Sequence, residues 1–557
     1  MKKIRHISPY IPLGIICILG TIYHWLFFNL NDVMKIADSF AYLQMSYFFW
    51  ELSSKWLWNG WFGFIYSLPI TLVNIFVWND FLAAKIVNLI LLNVSAVLLW
   101  KISRNLLSSM FSLFVVTLFF LSPTLLHFNI HILTENIYIP LFLGLFILLQ
   151  KFISKPTLSA TISVACMIGL MYLTRAEAFI YLSSIGIISL LMLFQKRLSI
   201  GQFLGYAGVF FVSFVIFISP YLIYLHGLTG DWGLTNKWAS NLRQAELRGQ
   251  EKMDDAGFEQ AVAELTADKH HLIAGFAGGM PYDKPSIEWS LWEYISKDPQ
   301  TFINRVFTNQ KKLYTLNFPE IILGKSPGLY YWNDTRFSNI FFLLYCALPF
   351  ALLIYGVYVI ARKQRDFFII TLAFFIPASI FFTLFFTLNR YFLIFLPLIF
   401  ITLWYAISHI RIWKYFRVIQ IWLSLQIISL LLLSTLVYYN TESPKDDYYR
   451  LKKTAGLWLE NNLENTKDLK IMERFPIVTY YSGSKTRYIT PYTSDIADIY
   501  EYGNYNDIDI LVVDTMDFKT YRPELSEYID TIPENFTLLE EFTNTQWQKV
   551  ILYQLKK

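Results

Sequence analysis

The sequence is poor in the residues that soluble enzymes rely on. Charged residues fill only 16% of its 557 positions, there are 8 histidines, and the 3 cysteines, Cys17, Cys166 and Cys346, all lie in apolar runs. Thiols placed there behave as small hydrophobes, so neither a disulfide framework nor a cysteine metal site is expected. No low-complexity tract and no repeat period stands out, which argues against a repeat architecture. The net charge of +5 gives no reason to invoke nucleic acid, because the basic residues follow a pattern of membrane topology.

What the chain has in quantity is apolar and aromatic: 55% hydrophobic residues and 18% Phe, Trp and Tyr. Its mean hydropathy is +0.42. Apolar runs long enough to cross a hydrocarbon layer of ~30 Å recur about eleven times, near 9–30, 81–100, 106–122, 134–150, 157–173, 178–194, 203–226, 337–361, 367–388, 390–408 and 417–438. The fold class read from this is a polytopic α-helical membrane protein of about eleven spans, with outward amphipathic loop helices and a small C-terminal α/β domain. The first run follows Lys2, Lys3 and Arg5 but is long and lacks a small-residue cleavage site, so it reads as a retained span.

Lysines and arginines recur at alternate turns: Lys101 and Arg104, Lys151 and Lys155, Lys196 and Arg197, Arg362 to Arg365, and Arg411 to Arg417. That side reads as cytoplasmic, with the N-terminus, and the C-terminus then faces outward. Three segments are expected on the outer side: 31–80, rich in Trp and Phe; a long loop, 227–336; and a domain from 441 onward, after the break Asn440-Thr441-Glu442-Ser443-Pro444. Residues 1–440 form the membrane domain in this reading. In the C-terminal domain a helix is expected over 447–463 and strands at 469–472, 508–513, 536–542 and 549–554. Asp514, at the carboxyl end of one of them, reads either as a ligand contact or as a turn residue.

Ionisable residues at outward span ends are the candidates for chemistry. Asp38, after the first span, reads as a helix N-cap or as a general base, and with Tyr42 at i+4 shares a helical face. Arg175 and Arg390 break the charge bias of their turns. A guanidinium near hydrocarbon needs a partner, and a phosphate matches its fork; for Arg175, Glu177 is the other partner in reach. His127, His131 and Glu135 recur every four residues and on a continuous helix would offer a divalent metal one face, although Pro123 and Asn129 point to a broken segment with interfacial hydrogen bonding. Glu135 also suits a helix N-terminus.

The order of these motifs resembles the GT-C superfamily of polytopic glycosyltransferases, in particular the bacterial branch related to protein O-mannosyltransferases and to the enzyme that adds aminoarabinose to lipid A. The motifs are Asp38-Ser39 with Tyr42, Thr134-Glu135, Leu173-Thr174-Arg175-Ala176-Glu177, Ser219-Pro220-Tyr221, Gly230-Asp231-Trp232, Thr235-Asn236-Lys237, and Arg390-Tyr391 with Leu396-Pro397. Ser39 departs from the acidic pair of many relatives, which leaves the second acid, Glu135 or Glu51, open in role. The resemblance implies inverting transfer of one sugar from a polyprenyl-phosphate donor to a hydroxyl of a glycolipid, glycan or protein on the outer side of the membrane. It implies Asp38 and Glu135 as catalytic acids and Arg390, Lys237 and Arg175 as phosphate ligands. Tyr42, His131, Asn129 and Tyr391 are the expected substrate contacts. A polymerase or ligase of envelope polysaccharides, using pyrophosphate-linked oligosaccharide, is the rival reading, and a lipid or sugar transporter the third. No C-terminal retention signal such as Lys-Asp-Glu-Leu is seen, which favours a bacterial inner membrane.

Overall fold

In the computed structural model, the residues described are 9–30, 32–34, 37–50, 63–229, 232–234, 295–296, 298–314, 321, 336–385, 389–410, 416–484, 486–488, 490, 495–521 and 523–556. Each of the apolar runs falls on a helix. The helices are α1 (Tyr10–Leu30), α2 (Ala37–Trp50), α3 (Ser67–Val77), α4 (Asp80–Arg104), α5 (Ser109–Leu121), α6 (Pro123–Ile130), α7 (Glu135–Ser154), α8 (Leu158–Thr174), α9 (Ile180–Phe194) and α10 (Ile200–Thr229). There follow α11 (Pro299–Lys312), α12 (Arg336–Lys363), α13 (Arg365–Phe385), α14 (Leu396–His409) and α15 (Phe416–Asn462). Among the described residues, 7 helical segments are long and apolar enough to cross a membrane, or 8 when α5 and α6, bent by 52°, are taken as one span. The bend falls where Ser122 caps α6 and Pro123, without an N–H, takes the first helical position.

Two compact units form. The first draws on residues 1–30, 73–221 and 306–441; the second on 31–72, 222–305 and 442–557. Most of the segment 31–80, read from sequence as an outer loop, thus groups with the C-terminal residues. In the first unit α7 packs between α4 and α8, and α12 lies against α14. A Cβ at Gly356 of α12 would come within 2.5 Å of the Thr402 carbonyl of α14, so this pair is close because one side is glycine. Lys85 is buried, donating to the Phe28 carbonyl at 2.9 Å with the Phe81 ring 4.4 Å away. His24 of α1 lies between Asn129 Oδ1 and the Phe120 carbonyl, each at 3.0 Å.

The polar stretch 440–444 does not end the last span, for α15 runs through it to Asn462. The shift in composition marks a change of surroundings, which a helix with internally bonded backbone tolerates. Its last part covers a 5-stranded sheet ordered β2-β1-β3-β5-β4, with β1 (Lys470–Met472), β2 (Thr486–Tyr488), β3 (Ile510–Asp514), β4 (Phe536–Thr543) and β5 (Lys549–Leu555). Strand β2 was not legible in the sequence because it is a 3-residue edge strand. Strands β1, β2 and β3 are parallel; β5 runs antiparallel to β3 and β4. Side chains alternate between faces. Ile510, Val512, Val550 and Leu552 meet Tyr448, Ala455 and Leu459 of α15, while Leu511, Val513, Ile551 and Tyr553 face a second cluster with Ile499 and Phe518.

A charged cluster is buried at the carboxyl ends of β1 and β3. Lys452 Nζ lies 2.7 Å from Asp514 Oδ2, the Tyr448 hydroxyl donates to Asp514 Oδ1, and the Asp517 N–H donates to the same oxygen at 2.8 Å. Glu473, following β1, accepts from the Thr479 and Val478 N–H groups at 2.7 and 3.2 Å. Of the two readings of Asp514 the turn residue is what forms, with an ion pair added. Burial alone would push the Asp514 carboxyl up, but the Lys452 ammonium and the hydrogen bonds from Lys452 and Tyr448 outweigh it and hold the group below the ordinary carboxylate range.

A depressed folded-state value means that this contribution to stability is complete above the unfolded value, about 3.9, and is lost as pH falls through the lower folded one. Asp514→Ala removes the ion-pair partner of the buried Lys452, a loss that typically costs about 3–5 kcal/mol. Amide exchange of the full chain in detergent is expected to show β1 and β3 losing protection in this variant. The same strands are expected to lose protection in the wild type on acidification below pH ~4.

Candidate active site

Within the first unit the ionisable residues converge at one helix end. Glu135 is the first residue of α7, and the chain reaches it through the non-helical turn 131–134, which is buried. Backbone carbonyls in such a turn need donors, and asparagine amides supply them. Asn136 Nδ2 donates to the carbonyls of Phe128, His131 and Leu133 at 3.0, 3.0 and 3.1 Å. Asn88 Nδ2 of α4 donates to those of Asn129 and His131 at 2.8 and 3.0 Å. The Asn129 side chain lies between His24, the Asn88 carbonyl and Asn136 Oδ1. Asn129, expected as a substrate contact, is thus built into the frame of the turn.

Glu135, held by that frame, is 2% exposed and meets Arg175 Nη1 at 2.5 Å. Arg175 caps the C-terminus of α8 in extended conformation, its N–H bonded to the Met171 carbonyl. Its Nε lies 3.7 Å from Glu177 in the 3-10 turn Ala176–Phe179. Arg390, in the short helical turn Asn389–Phe392, places Nε 3.8 Å from the same Glu135 oxygen and is 24% exposed. That distance exceeds a hydrogen bond, so the attraction is one of charge. The Tyr391 ring lies 5.3 Å from the Arg175 guanidinium carbon and 5.6 Å from that of Arg390, and stacks on Phe382 at 4.4 Å. Two cations, one shared carboxylate and one aromatic ring therefore form a single group from α7, the end of α8 and the turn before α14.

The metal reading of His127, His131 and Glu135 requires a continuous helix, and there is none. Helix α6 ends at Ile130, His131 is extended, and α7 begins at Glu135. Among the described residues no cluster of three or more His, Cys, Asp or Glu is arranged to hold a metal ion. The His131 ring instead sits edge-on to His127 at 4.8 Å, and its carbonyl is taken by Asn88 and Asn136.

Asp38 lies in the first turn of α2, in the second unit, partly exposed, where its charge also suits the helix dipole. Tyr42, four residues on, is buried with its ring edge-on to Tyr66 at 5.3 Å, and its carbonyl accepts from Ser67 Oγ at 2.9 Å. Lys237, Glu51, Asp231 and the tryptophans at 56, 58 and 61 lie outside the described residues.

No protein-family model and no curated protein matches the sequence. Solved structures match the fold, three of them as follows. ArnT from Cupriavidus metallidurans bound to undecaprenyl phosphate aligns with a TM-score of 0.57 at 8% identity, over 97% of this chain and 97% of that one. The apo state of the same protein gives 0.52 at 9% identity, over 94% and 93%. The oligosaccharyltransferase AglB from Archaeoglobus fulgidus, in complex with an inhibitory peptide and a dolichol-phosphate, gives 0.54 at 10% identity, over 98% of this chain and 74% of that one. The chain shares the fold of these proteins. The match to ArnT runs nearly end to end in both chains.

Two features of the chain escaped the sequence reading. One is the asparagine frame, because Asn88 and Asn136 look like incidental polar residues in apolar runs. The other is Lys452, whose place at i+4 from Tyr448 on the apolar stripe of α15 was the available signal. If the frame holds the turn, Asn136→Ala, which strips three buried carbonyls of a donor, is expected to lower stability by at least about 1–3 kcal/mol. Thermal unfolding of the detergent-solubilised chain measures this.

Proposed function

We propose that the protein is an integral-membrane glycosyltransferase that moves a single sugar from a polyprenyl-phosphate donor to an acceptor hydroxyl with inversion. The observation carrying this reading is the Arg175–Glu135–Arg390 group in a GT-C fold whose structural neighbour ArnT binds undecaprenyl phosphate. A guanidinium has five N–H donors in a fork that matches phosphate oxygens, more than a single carboxylate oxygen takes up. In this reading Glu135 orients the two arginines, and Arg390, the more exposed, meets the donor phosphate, with Lys237 as a further cation.

Asp38 takes the proton of the acceptor hydroxyl as its oxygen bonds to the anomeric carbon. The carbon–oxygen bond to phosphate breaks, and the lipid phosphate leaves carrying the electron pair. Stabilising its developing charge by one cation at ~4 Å contributes about 4 kcal/mol at an effective dielectric of 20, or several hundredfold in rate when felt mainly in the transition state. In this reading the reaction takes place on the outer face of a bacterial inner membrane, with the N-terminus cytoplasmic and the C-terminus outside, an orientation that the positive-inside pattern supports. The acceptor is a glycolipid, glycan or protein.

A second reading, transfer of a whole oligosaccharide from a pyrophosphate-linked lipid, draws on the likeness to AglB. The single-sugar reading is favoured because this chain spans 97% of ArnT but 74% of AglB.

Purified protein offered both donor classes is expected to turn over the polyprenyl-phosphate monosaccharide; turnover of the pyrophosphate oligosaccharide alone overturns the proposal. Asp38→Asn is expected to lower transfer by about 10²- to 10⁴-fold while polyprenyl phosphate still binds. Arg390→Ala is expected to weaken that binding or turnover, and Arg390→Lys to restore it only in part.

A further inference from the structure

The residues just before α2 are tied to the C-terminal domain by contacts within the second unit. Lys453 Nζ, on α15, donates to Asp32 Oδ2 at 3.0 Å and to the Asp32 carbonyl at 3.2 Å. Arg450 Nε, one turn earlier, lies 3.5 Å from Asp32 Oδ1. The Tyr481 hydroxyl bridges the same segment, donating to the Asp32 carbonyl at 3.4 Å and accepting from the Met34 N–H at 3.2 Å. Val33 and Met34 are buried, and Phe40, two residues after Asp38, meets Tyr480 edge-on at 6.3 Å.

Exposed ion pairs contribute little alone, about 0–1 kcal/mol, so the hydroxyl bridge and the buried residues define the geometry. Two observations show it is built in. A Cβ at Gly456 of α15 would lie 2.7 Å from Tyr481 Cβ and 2.7 Å from the Val478 carbonyl, so the helix bearing Lys453 and the turn bearing Tyr481 meet at this distance only because position 456 is glycine. The buried Lys452–Asp514 pair also fixes the rotation of α15, and with it the side on which Arg450 and Lys453 stand.

We propose that Lys453, Tyr481 and Gly456 are positioning residues for Asp38, through which the C-terminal domain sets the placement of the catalytic carboxylate. The inference rests on Asp38 being the base, as proposed above. A base must lie within hydrogen-bond reach of the proton it removes, so a shift of α2 lowers turnover without altering capture of the donor phosphate by arginines of the other unit.

The test uses the full-length protein and reads kcat, donor KM and binding of polyprenyl phosphate separately. Tyr481→Phe, which keeps the ring and removes both hydrogen bonds, is expected to lower kcat about 5- to 100-fold, two net bonds' worth, with KM and phosphate binding unchanged. Gly456→Ala is expected to do the same. Asp32→Lys and Lys453→Asp are each expected to lower kcat, and the double reversal to recover most of it. Amide exchange is expected to quicken at 37–50 in Tyr481→Phe while β3 stays protected; loss of protection in both would mean general unfolding and overturn the positioning role. Wild-type kcat in Tyr481→Phe and Gly456→Ala, beside an inactive Asp38→Asn, overturns this inference alone. An active Asp38→Asn overturns the underlying reading instead.

Discussion

One carboxylate oxygen shared by two arginines is the interaction on which the first unit depends. Glu135 and Arg175 are almost fully buried, 40 residues apart in sequence, and Arg390 comes from a third element. Two guanidinia this close repel, and a buried ion without a partner is costly, so Glu135 makes the cation pair tolerable in an apolar bundle. Its placement follows from a polar frame that supplies donors to the carbonyls of Phe128, Asn129, His131 and Leu133 before α7. In hydrocarbon an irregular turn survives only when its backbone is bonded internally, which is what Asn88 and Asn136 achieve.

The second unit uses the same device in different surroundings. Lys452, Asp514, Glu473, Arg474 and Asp517 are buried at the carboxyl edge of the parallel strands, with charges of both signs. Such pairs are weak evidence for stability but strong constraints on register, since any other rotation of α15 would bury Lys452 without Asp514. The rotation that satisfies Lys452 also sets Arg450 and Lys453 beside Asp32.

Much of this was legible in the sequence. The apolar runs gave the helices because a span must be apolar over a fixed length, and Arg175 and Arg390 stood out because their turns otherwise lack cations. Four of the strands were legible as short strand-like runs, whereas β2 was too short to show a period. The Arg175–Glu135 pairing was not legible, because the sequence offers Glu177 as a nearer partner and that contact forms too, at the longer distance of 3.7 Å. The metal face failed for a local reason: i, i+4 spacing carries meaning only on an unbroken helix, and His131 is extended. Pro123 and Asn129 already hinted at the break.

The choice of arginine over lysine follows from Tyr391. A guanidinium is flat, so it keeps a favourable contact with a ring face while its edge addresses anions, and both cations lie within 6 Å of this ring. Phe382, stacked beneath at 4.4 Å and 4° between planes, holds the ring in place. An ammonium is a compact, strongly hydrated charge that would lose more solvation here and gain no planar match to phosphate. Tyr391 thus forms the floor under the cations. Its removal would disturb both arginines at once, whereas the loss of either arginine leaves the other still held by Glu135.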